Sequence, residues 1–150
     1  IYTLSLHDAL PILIHPLGFS LDEKSFLRAG MDYIIDCEIE EYSSIDEFYK
    51  KNKNKIIFYI TRYAKKVYSD EDFSSPVEDY YFMFGRESTG IPYEILKDNI
   101  ENCLRIPMQA NSRSLNLSNC VAIVSYEACR QQEFYELSTE ETFKGKDFIY

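Results

Sequence analysis

A chain of 150 residues is long enough to bury one hydrophobic core, and its 45% hydrophobic and 27% charged residues are typical of a single globular domain. Five glycines and five prolines are too few for a fibrous or disordered protein. The formal net charge of -9 argues against nonspecific coating of nucleic acid, because binding to phosphates requires local positive charge, but it leaves room for a basic cleft.

The cysteines and histidines form no pattern typical of a metal site. The four cysteines are Cys37, Cys103, Cys120 and Cys129. They contain no Cys-x-x-Cys pair, and His7 and His15 stand at no usual zinc spacing, so we expect reduced thiols and no metal. No apolar run approaches the roughly 20 residues that cross a bilayer, and no signal-peptide pattern is present. We therefore expect a cytoplasmic protein without membrane contact.

The first part of the chain alternates between strand and helix signals. Residues 13–15 predict the end of a short strand, and a capping box at residues 20–23 predicts a helix that stops at Gly30. Residues 33–35 predict a second strand. A second capping box at residues 44–47 predicts a helix to about residue 51.

Continuous apolar runs at residues 56–60, 80–84 and 103–106 predict buried, parallel strands. Residues 115–132 form the longest predicted helix, with an apolar face at helical spacing. Residues 135–150 are acidic and polar, which predicts a loosely held tail with one short helical turn from Ser138. Strands separated by helices indicate an α/β fold with a mostly parallel sheet flanked by helices.

The segment Phe-Gly-Arg-Glu-Ser-Thr-Gly-Ile-Pro at residues 84–92 directly follows a predicted buried strand. Ligands of open α/β sheets bind beyond the carboxyl ends of strands, which makes this loop a candidate site. Gly85 and Gly90 allow close backbone approach, and Glu87 lies between them. A plain strand-to-helix loop explains the pattern equally well.

Residues 105–119 lead into the long helix with an unusual density of polar side chains. Six of the nine residues from 111 to 119 are serine or asparagine, and Arg113 lies among them. Such groups at a helix start can bind an anion or a nucleoside, whereas one N-cap needs one such residue. The sequence contains no Gly-x-Gly-x-x-Gly motif, phosphate loop, nucleophile elbow or zinc-protease motif. The residues alone therefore predict an α/β protein with a polar site built from two loops.

Together, the segments at residues 84–92 and 105–127 resemble the second and third motifs of the SpoU-class (SPOUT) RNA 2′-O-methyltransferases. The stretches His-Pro-Leu-Gly-Phe at 15–19 and Leu-Arg-Ala-Gly-Met-Asp-Tyr at 27–33 are similar to the TrmL-type subgroup. That subgroup methylates the wobble nucleotide, cytidine or modified uridine, of certain leucine tRNAs. The resemblance covers residues 13–134, which we take as the methyltransferase domain.

The resemblance implies a sheet with a deep carboxyl-terminal trefoil knot and a homodimer that acts on tRNA. It implies that S-adenosyl-L-methionine binds in the knot, held mainly by backbone groups of three loops, and that residues 115–132 contribute to the dimer interface. At the positions that match the cofactor site this sequence has Ile60, Thr61, Gly85, Gly90, Ile106, Met108, Ser114 and Leu115.

The resemblance also implies roles for polar residues in attack of a ribose 2′-oxygen on the sulfonium methyl group. The positions matching catalytic residues are Glu87, Arg113, Ser114 and Asn116. Ser114 and Asn116 are expected to shape the donor and ribose pocket, and Glu87 to brace the loops. Arg113 is the candidate phosphate contact among these positions. Apart from the resemblance, we expect the cluster of Arg62, Lys65 and Lys66 to contact the RNA backbone, with plain surface solvation as the alternative. Tyr126 and Glu127 match a Tyr-Glu pair for which we expect a structural role at the interface.

The family's first motif, Asn-x-Gly-Asn-x-x-Arg, is absent from this sequence. Residues 1–12 have no similarity to it and look like translated adapter sequence joined to a truncated gene. We expect a sheet that is incomplete at its amino terminus and a chain of weak or no activity, since the motif's arginine is assigned to activate the ribose oxygen. The alternatives are another SpoU-class enzyme for rRNA or tRNA, and a non-catalytic dimer that binds the donor or RNA.

Overall fold

The computed structural model describes residues 1–5, 11–16, 39–112, 114–135, 137–145 and 147. The helix predicted at residues 20–30 and the strand predicted at 33–35 lie outside the described residues, as does Arg113.

The described residues form a seven-stranded sheet in the order β3-β2-β1-β6-β4-β7-β5. The strands are β1 (Tyr2–Ser5), β2 (Pro11–Ile14), β3 (Glu40–Tyr42), β4 (Ile56–Ile60), β5 (Lys66–Val67), β6 (Tyr80–Phe84) and β7 (Cys103–Arg105). Strand β1 is antiparallel to both of its neighbours, β2 and β6. The other four pairings are parallel, which confirms the mostly parallel sheet.

The central strands β4 and β6 are buried on both faces. Along β4, Ile57 and Tyr59 point into one core cluster and Phe58 into the other. Along β6, Met83 points into the first of these clusters and Phe82 into the second. Strands covered on both sides need apolar residues at successive positions, which is why they appear as continuous runs in the sequence. The predicted bounds of β4 and β6 are confirmed, and β7 ends at Arg105, one residue before the predicted end.

Helices cover both faces of the sheet, which gives three layers. Helices α1 (Ile45–Lys51) and α2 (Tyr93–Asp98) contribute Phe48 and Leu96 to one core cluster. Helix α3 (Leu117–Gln131) contributes Val124 and Ala128, both 0% exposed, to the other. The predicted apolar face of the long helix is thus the face that packs on the sheet. In the described part of the chain, no helix has the length and apolar character to span a membrane.

Side-chain caps determine where α1 and α3 begin. Ser44 Oγ accepts a hydrogen bond of 3.2 Å from the Glu47 N–H, and the Glu47 carboxylate accepts one of 2.9 Å from the Ser43 N–H. Helix α3 begins two residues later than predicted, because Asn116 is its N-cap and its Oδ1 accepts a bond of 2.9 Å from the Ser118 N–H.

Two glutamines at the end of α3 bind the connection between β5 and β6. Gln131 accepts from the Phe73 N–H at 2.7 Å, and Gln132 donates to the Phe73 carbonyl at 2.9 Å. The ring of Phe73 is 0% exposed and packs edge-on against Phe58 and Phe82, with centroids 5.3 and 5.2 Å apart. These contacts attach α3 to the sheet at the end opposite Asn116.

The amino-terminal residues belong to the sheet. Strand β1 lies between β2 and β6, and β2 spans the predicted domain boundary between residues 12 and 13. The predicted helical turn at Ser138 is wrong for the described residues 137–145, which form bends with exposed side chains.

Candidate functional site

Three loops meet at the carboxyl ends of β4, β6 and β7. Ile60, the last residue of β4, pairs with Phe84 on one side and with Leu104 on the other. The Thr61 N–H continues the ladder with a 2.9 Å bond to the Leu104 carbonyl. Because the three strands are parallel, the segments that follow them leave the sheet at the same edge.

These three segments line one cavity of about 400 Å³, within the range of roughly 300–1,000 Å³ that is usual for small-molecule sites. Its walls include all eight residues predicted at the cofactor site: Ile60, Thr61, Gly85, Gly90, Ile106, Met108, Ser114 and Leu115. Glu87, Ser114 and Arg62 also line it, so the cavity combines apolar walls with hydroxyl and charged groups.

The loop after β6 folds back on itself so tightly that only glycine fits at position 85. A Cβ placed on Gly85 would lie 2.0 Å from the Gly90 carbonyl carbon and 2.1 Å from the Ile91 nitrogen. The Gly90 N–H donates to the Arg86 carbonyl at 2.8 Å, and Gly90 has a φ of +71°, in the left-handed region. The two glycines are therefore needed to form the loop that presents its backbone to the cavity.

Two of the predicted catalytic residues, Glu87 and Ser114, are exposed on the wall of the cavity. Asn116 is placed differently: it caps α3 and does not belong to the lining residues. Its position agrees with the capping explanation that the sequence left open.

The residues predicted to contact RNA differ in whether another residue already pairs with their charge. Lys65 is exposed beside Arg62, whereas the Lys66 ammonium lies 2.5 Å from the Glu71 carboxylate. The ion pair with Glu71 balances the positive charge of Lys66.

Eight lining residues are not among the predicted site residues: Tyr63, Phe84, Arg86, Ser88, Thr89, Ile91, Leu117 and Cys120. Tyr63 follows the end of β4 by three residues and is 70% exposed. Arg86 lies inside the glycine loop, and its guanidinium donates to the Pro16 carbonyl. Cys120, half-buried one turn into α3, has a thiol pKa raised by burial. Tyr63 could have been predicted as a site residue, because it closely follows the end of a predicted strand. The sequence pattern around Cys120 gave no indication that this residue lines a cavity.

The Tyr-Glu pair of α3 points away from the cavity lining. Tyr126 is 66% exposed. The Glu127 carboxylate accepts hydrogen bonds of 2.9 Å from Arg130 and Gln131, and these bonds lower the pKa of Glu127 to about 2. Glu127 therefore remains ionised at neutral pH and holds the last turns of α3 together.

Comparison with known proteins agrees with this geometry. Residues 8–126 match the sequence profile described as the SpoU rRNA Methylase family. A Listeria monocytogenes protein named "Putative tRNA (cytidine(34)-2'-O)-methyltransferase" is 52% identical over 136 residues, covering 91% of this chain and 80% of that protein.

Two solved structures are similar in fold and sequence. The crystal structure of a "putative RNA methyltransferase" from Bacillus anthracis has a TM-score of 0.80 and 50% identity, over 87% of this chain and 82% of that one. A structure described as giving insights into the 2-OH methylation of C/U34 on tRNA has a TM-score of 0.72 and 33% identity, over 82% of this chain and 78% of that one.

Proposed function

This chain belongs to the SpoU rRNA Methylase family, and we propose that it methylates the ribose 2′-oxygen of the wobble nucleotide, cytidine or modified uridine, in leucine tRNAs. One observation carries the proposal: three segments far apart in the sequence, each predicted to hold the methyl donor, line a single cavity. The relatives' names and the C/U34 structure support position 34 of a tRNA as the target.

The cavity has the chemistry that S-adenosylmethionine requires. That donor would supply a methyl group on a positively charged sulfur. Ile60, Ile106 and Leu115 offer apolar walls for its base and for the carbons next to its sulfonium. The backbone of the loop from Gly85 to Gly90 offers polar groups at close range. The volume of about 400 Å³ is suited to one ligand of this size.

The chain's own residues would align the ribose and the donor. A ribose hydroxyl is a weak acid, so catalysis depends on orientation and on help with removal of its proton. We assign Ser114, whose side chain is exposed on the cavity wall, to orienting the ribose. Glu87 braces the loops, Asn116 fixes the start of α3 behind Ser114, and Arg113 contacts a phosphate.

The strand order supports a trefoil knot at the carboxyl-terminal end. Strand β7 pairs with both β4 and β5, so it lies between two strands that precede it in the chain. We expect residues 61–65, which connect β4 to β5, to cross β7 near its carboxyl end, because β4 and β5 lie on either side of β7. The chain after β7 leaves at the same edge, and threading beneath this connection takes it to α3.

A cytoplasmic homodimer is part of the proposal, with the exposed side of α3 at the two-fold axis. Tyr126, Tyr135 and Leu137, which are 66%, 60% and 50% exposed, are the apolar groups available around that helix. Sedimentation of the chain and of Tyr126→Glu tests it: we expect the mass of two chains for the first and of one chain for the second.

The absence of the Asn-x-Gly-Asn-x-x-Arg motif favours a second candidate, a protein that binds the donor and RNA with little turnover. Calorimetry with S-adenosylmethionine comes first, and a chain that binds none of it contradicts both candidates. Methyl transfer to total tRNA, followed by nucleoside mapping, then separates them. Methylation at nucleotide 34 supports the enzyme, methylation elsewhere identifies another SpoU-class enzyme, and binding alone supports the second candidate.

A further inference from the structure

One of the aromatic side chains that line the cavity is largely exposed to solvent and does not belong to the hydrophobic core. Tyr63 lines the cavity, yet 70% of its surface is exposed. A large exposed aromatic ring is more often a recognition element than a packing element when it borders a concave site.

The neighbouring arginine holds the ring. The Arg62 guanidinium donates to the Tyr63 hydroxyl at 3.0 Å and lies over the ring, 5.0 Å from its centroid. The Thr61 Oγ1 accepts from the Tyr63 N–H at 3.3 Å, which fixes the backbone that carries the ring. Tyr63 is thus a positioned aromatic surface, covered on one side by a cation.

Negative charges offset the positive charges around the cavity, so contacts with phosphates alone would hold an RNA only weakly. The chain carries a net charge of -9, Lys66 is paired with Glu71, and Glu87 also lines the cavity. Proteins that bind unpaired nucleotides complement phosphate contacts by stacking bases on aromatic rings, an interaction that needs no net charge.

We propose that Tyr63 is the stacking platform for an unpaired base of the substrate RNA, next to the ribose that enters the cavity. The inference rests on the proposed function, since it assumes that an RNA is the substrate. Arg62 orients the ring through its hydrogen bond to the Tyr63 hydroxyl. Tyr63 is a positioning residue, because it holds the nucleotide without touching the reacting atoms.

The test measures binding of a fluorescein-labelled anticodon stem-loop of a leucine tRNA by anisotropy at several salt concentrations. Tyr63→Ala and Tyr63→Leu are expected to weaken binding about tenfold, the scale of one lost base–aromatic stack. Tyr63→Phe and Tyr63→Trp should stay within about twofold of the parent, because they keep the aromatic face.

Salt dependence distinguishes stacking from charge. The slope of affinity against salt should be unchanged in Tyr63→Ala and should become shallower in Lys65→Gln, which removes a cation. Binding of S-adenosylmethionine is measured for each Tyr63 variant, since Tyr63 lines the cavity. RNA affinity that falls only in proportion to donor affinity would contradict a stacking role. The matched control is Tyr93→Ala, at a tyrosine that is 71% exposed and does not line the cavity.

Several results would overturn the proposal. Loss of RNA binding in Tyr63→Phe, an equal loss in Tyr93→Ala, or a changed assembly mass in Tyr63→Ala would show that the ring has another role. Full RNA affinity in Tyr63→Ala would remove Tyr63 while leaving the proposed function standing. A parent chain that binds no stem-loop would instead contradict the proposed function itself.

Discussion

The two halves of the sheet differ in direction, in composition and in what they build. Strands β6, β4, β7 and β5 are all parallel, and the segments that follow β4, β6 and β7 line the cavity. On the other side of β6, strand β1 runs against both of its neighbours, and β3 carries Glu40 and Glu41. The lining residues of the cavity lie between Ile60 and Cys120, so this site belongs to the parallel half.

This difference separates binding from catalysis. The parallel half contains every residue matched to the donor site, whereas the motif to which the family resemblance assigns activation of the ribose oxygen is missing from the sequence. Strand β1 supplies backbone partners to β2 and β6. Donor binding and methyl transfer are therefore two quantities to be measured separately for this chain.

The largest expected effect follows directly from that separation. We predict that this chain binds S-adenosylmethionine but transfers its methyl group at least about 100-fold more slowly than a family member that carries the first motif, since general acid–base groups contribute about 10²–10⁴-fold. Calorimetry and single-turnover methylation of total tRNA measure the two quantities. Equal turnover by both proteins would show that the parallel half alone performs the chemistry.

The next effect tests whether the loop after β6 is held together by backbone packing. Gly85→Ala should lower the free energy of unfolding by about 3 kcal/mol and abolish donor binding, because its Cβ would overlap the Gly90 backbone at 2.0 Å. Gly90→Ala, where nothing lies within 4 Å but φ is +71°, should cost only about 1–2 kcal/mol. Urea titration measures both. Equal costs would show that strain, rather than close approach, determines the loop.

The same contrast explains what sequence reasoning could predict. Strands β4 and β6 were predicted at their observed bounds because burial on both faces requires apolar residues at every position. Strand β3 and helix α2 were missed, since a three-residue strand and a six-residue helix are too short to show a period. The reversed direction of β1 has no local signal, because strand pairing depends on partners far along the chain.

The site was foreseen only with help from the family resemblance. Residue types at 84–92 and 105–119 indicated two polar loops, but nothing local showed that Gly85 and Ser114 would face one cavity. That arrangement depends on β7 entering between β4 and β5, a long-range pairing. The polar run at 111–119 also mixes two tasks: Asn116 caps α3, whereas Ser114 lines the cavity.

A smaller effect tests how well β1 fits its place. Thr3 is 0% exposed, and its hydroxyl has no hydrogen-bond partner among the residues that the structure describes, whereas a buried polar group is normally satisfied. Thr3→Val should raise the free energy of unfolding by about 1 kcal/mol, because it replaces an unpaired hydroxyl with a methyl group. Thr3→Ser is the control and should cost about 1 kcal/mol, since it keeps the hydroxyl and loses a buried methyl. A destabilised Thr3→Val would mean that β1 makes a bond there.

The smallest effect is at the end of α3, in the parallel half. The pKa of Glu127 is lowered from its ordinary value of 4.5 to about 2, because Arg130 and Gln131 donate hydrogen bonds to the ionised carboxylate. Its stabilising contribution is therefore complete above pH 4.5 and is lost as the pH falls towards 2. The Arg130 side chain is 62% exposed, so solvent screens the pair, and Glu127→Gln should cost only about 0.5 kcal/mol at pH 7. Thermal unfolding from pH 7 to 2 should show this difference shrinking below pH 4.5. A difference for Glu127→Gln that stays constant down to pH 2 would assign the loss to packing instead.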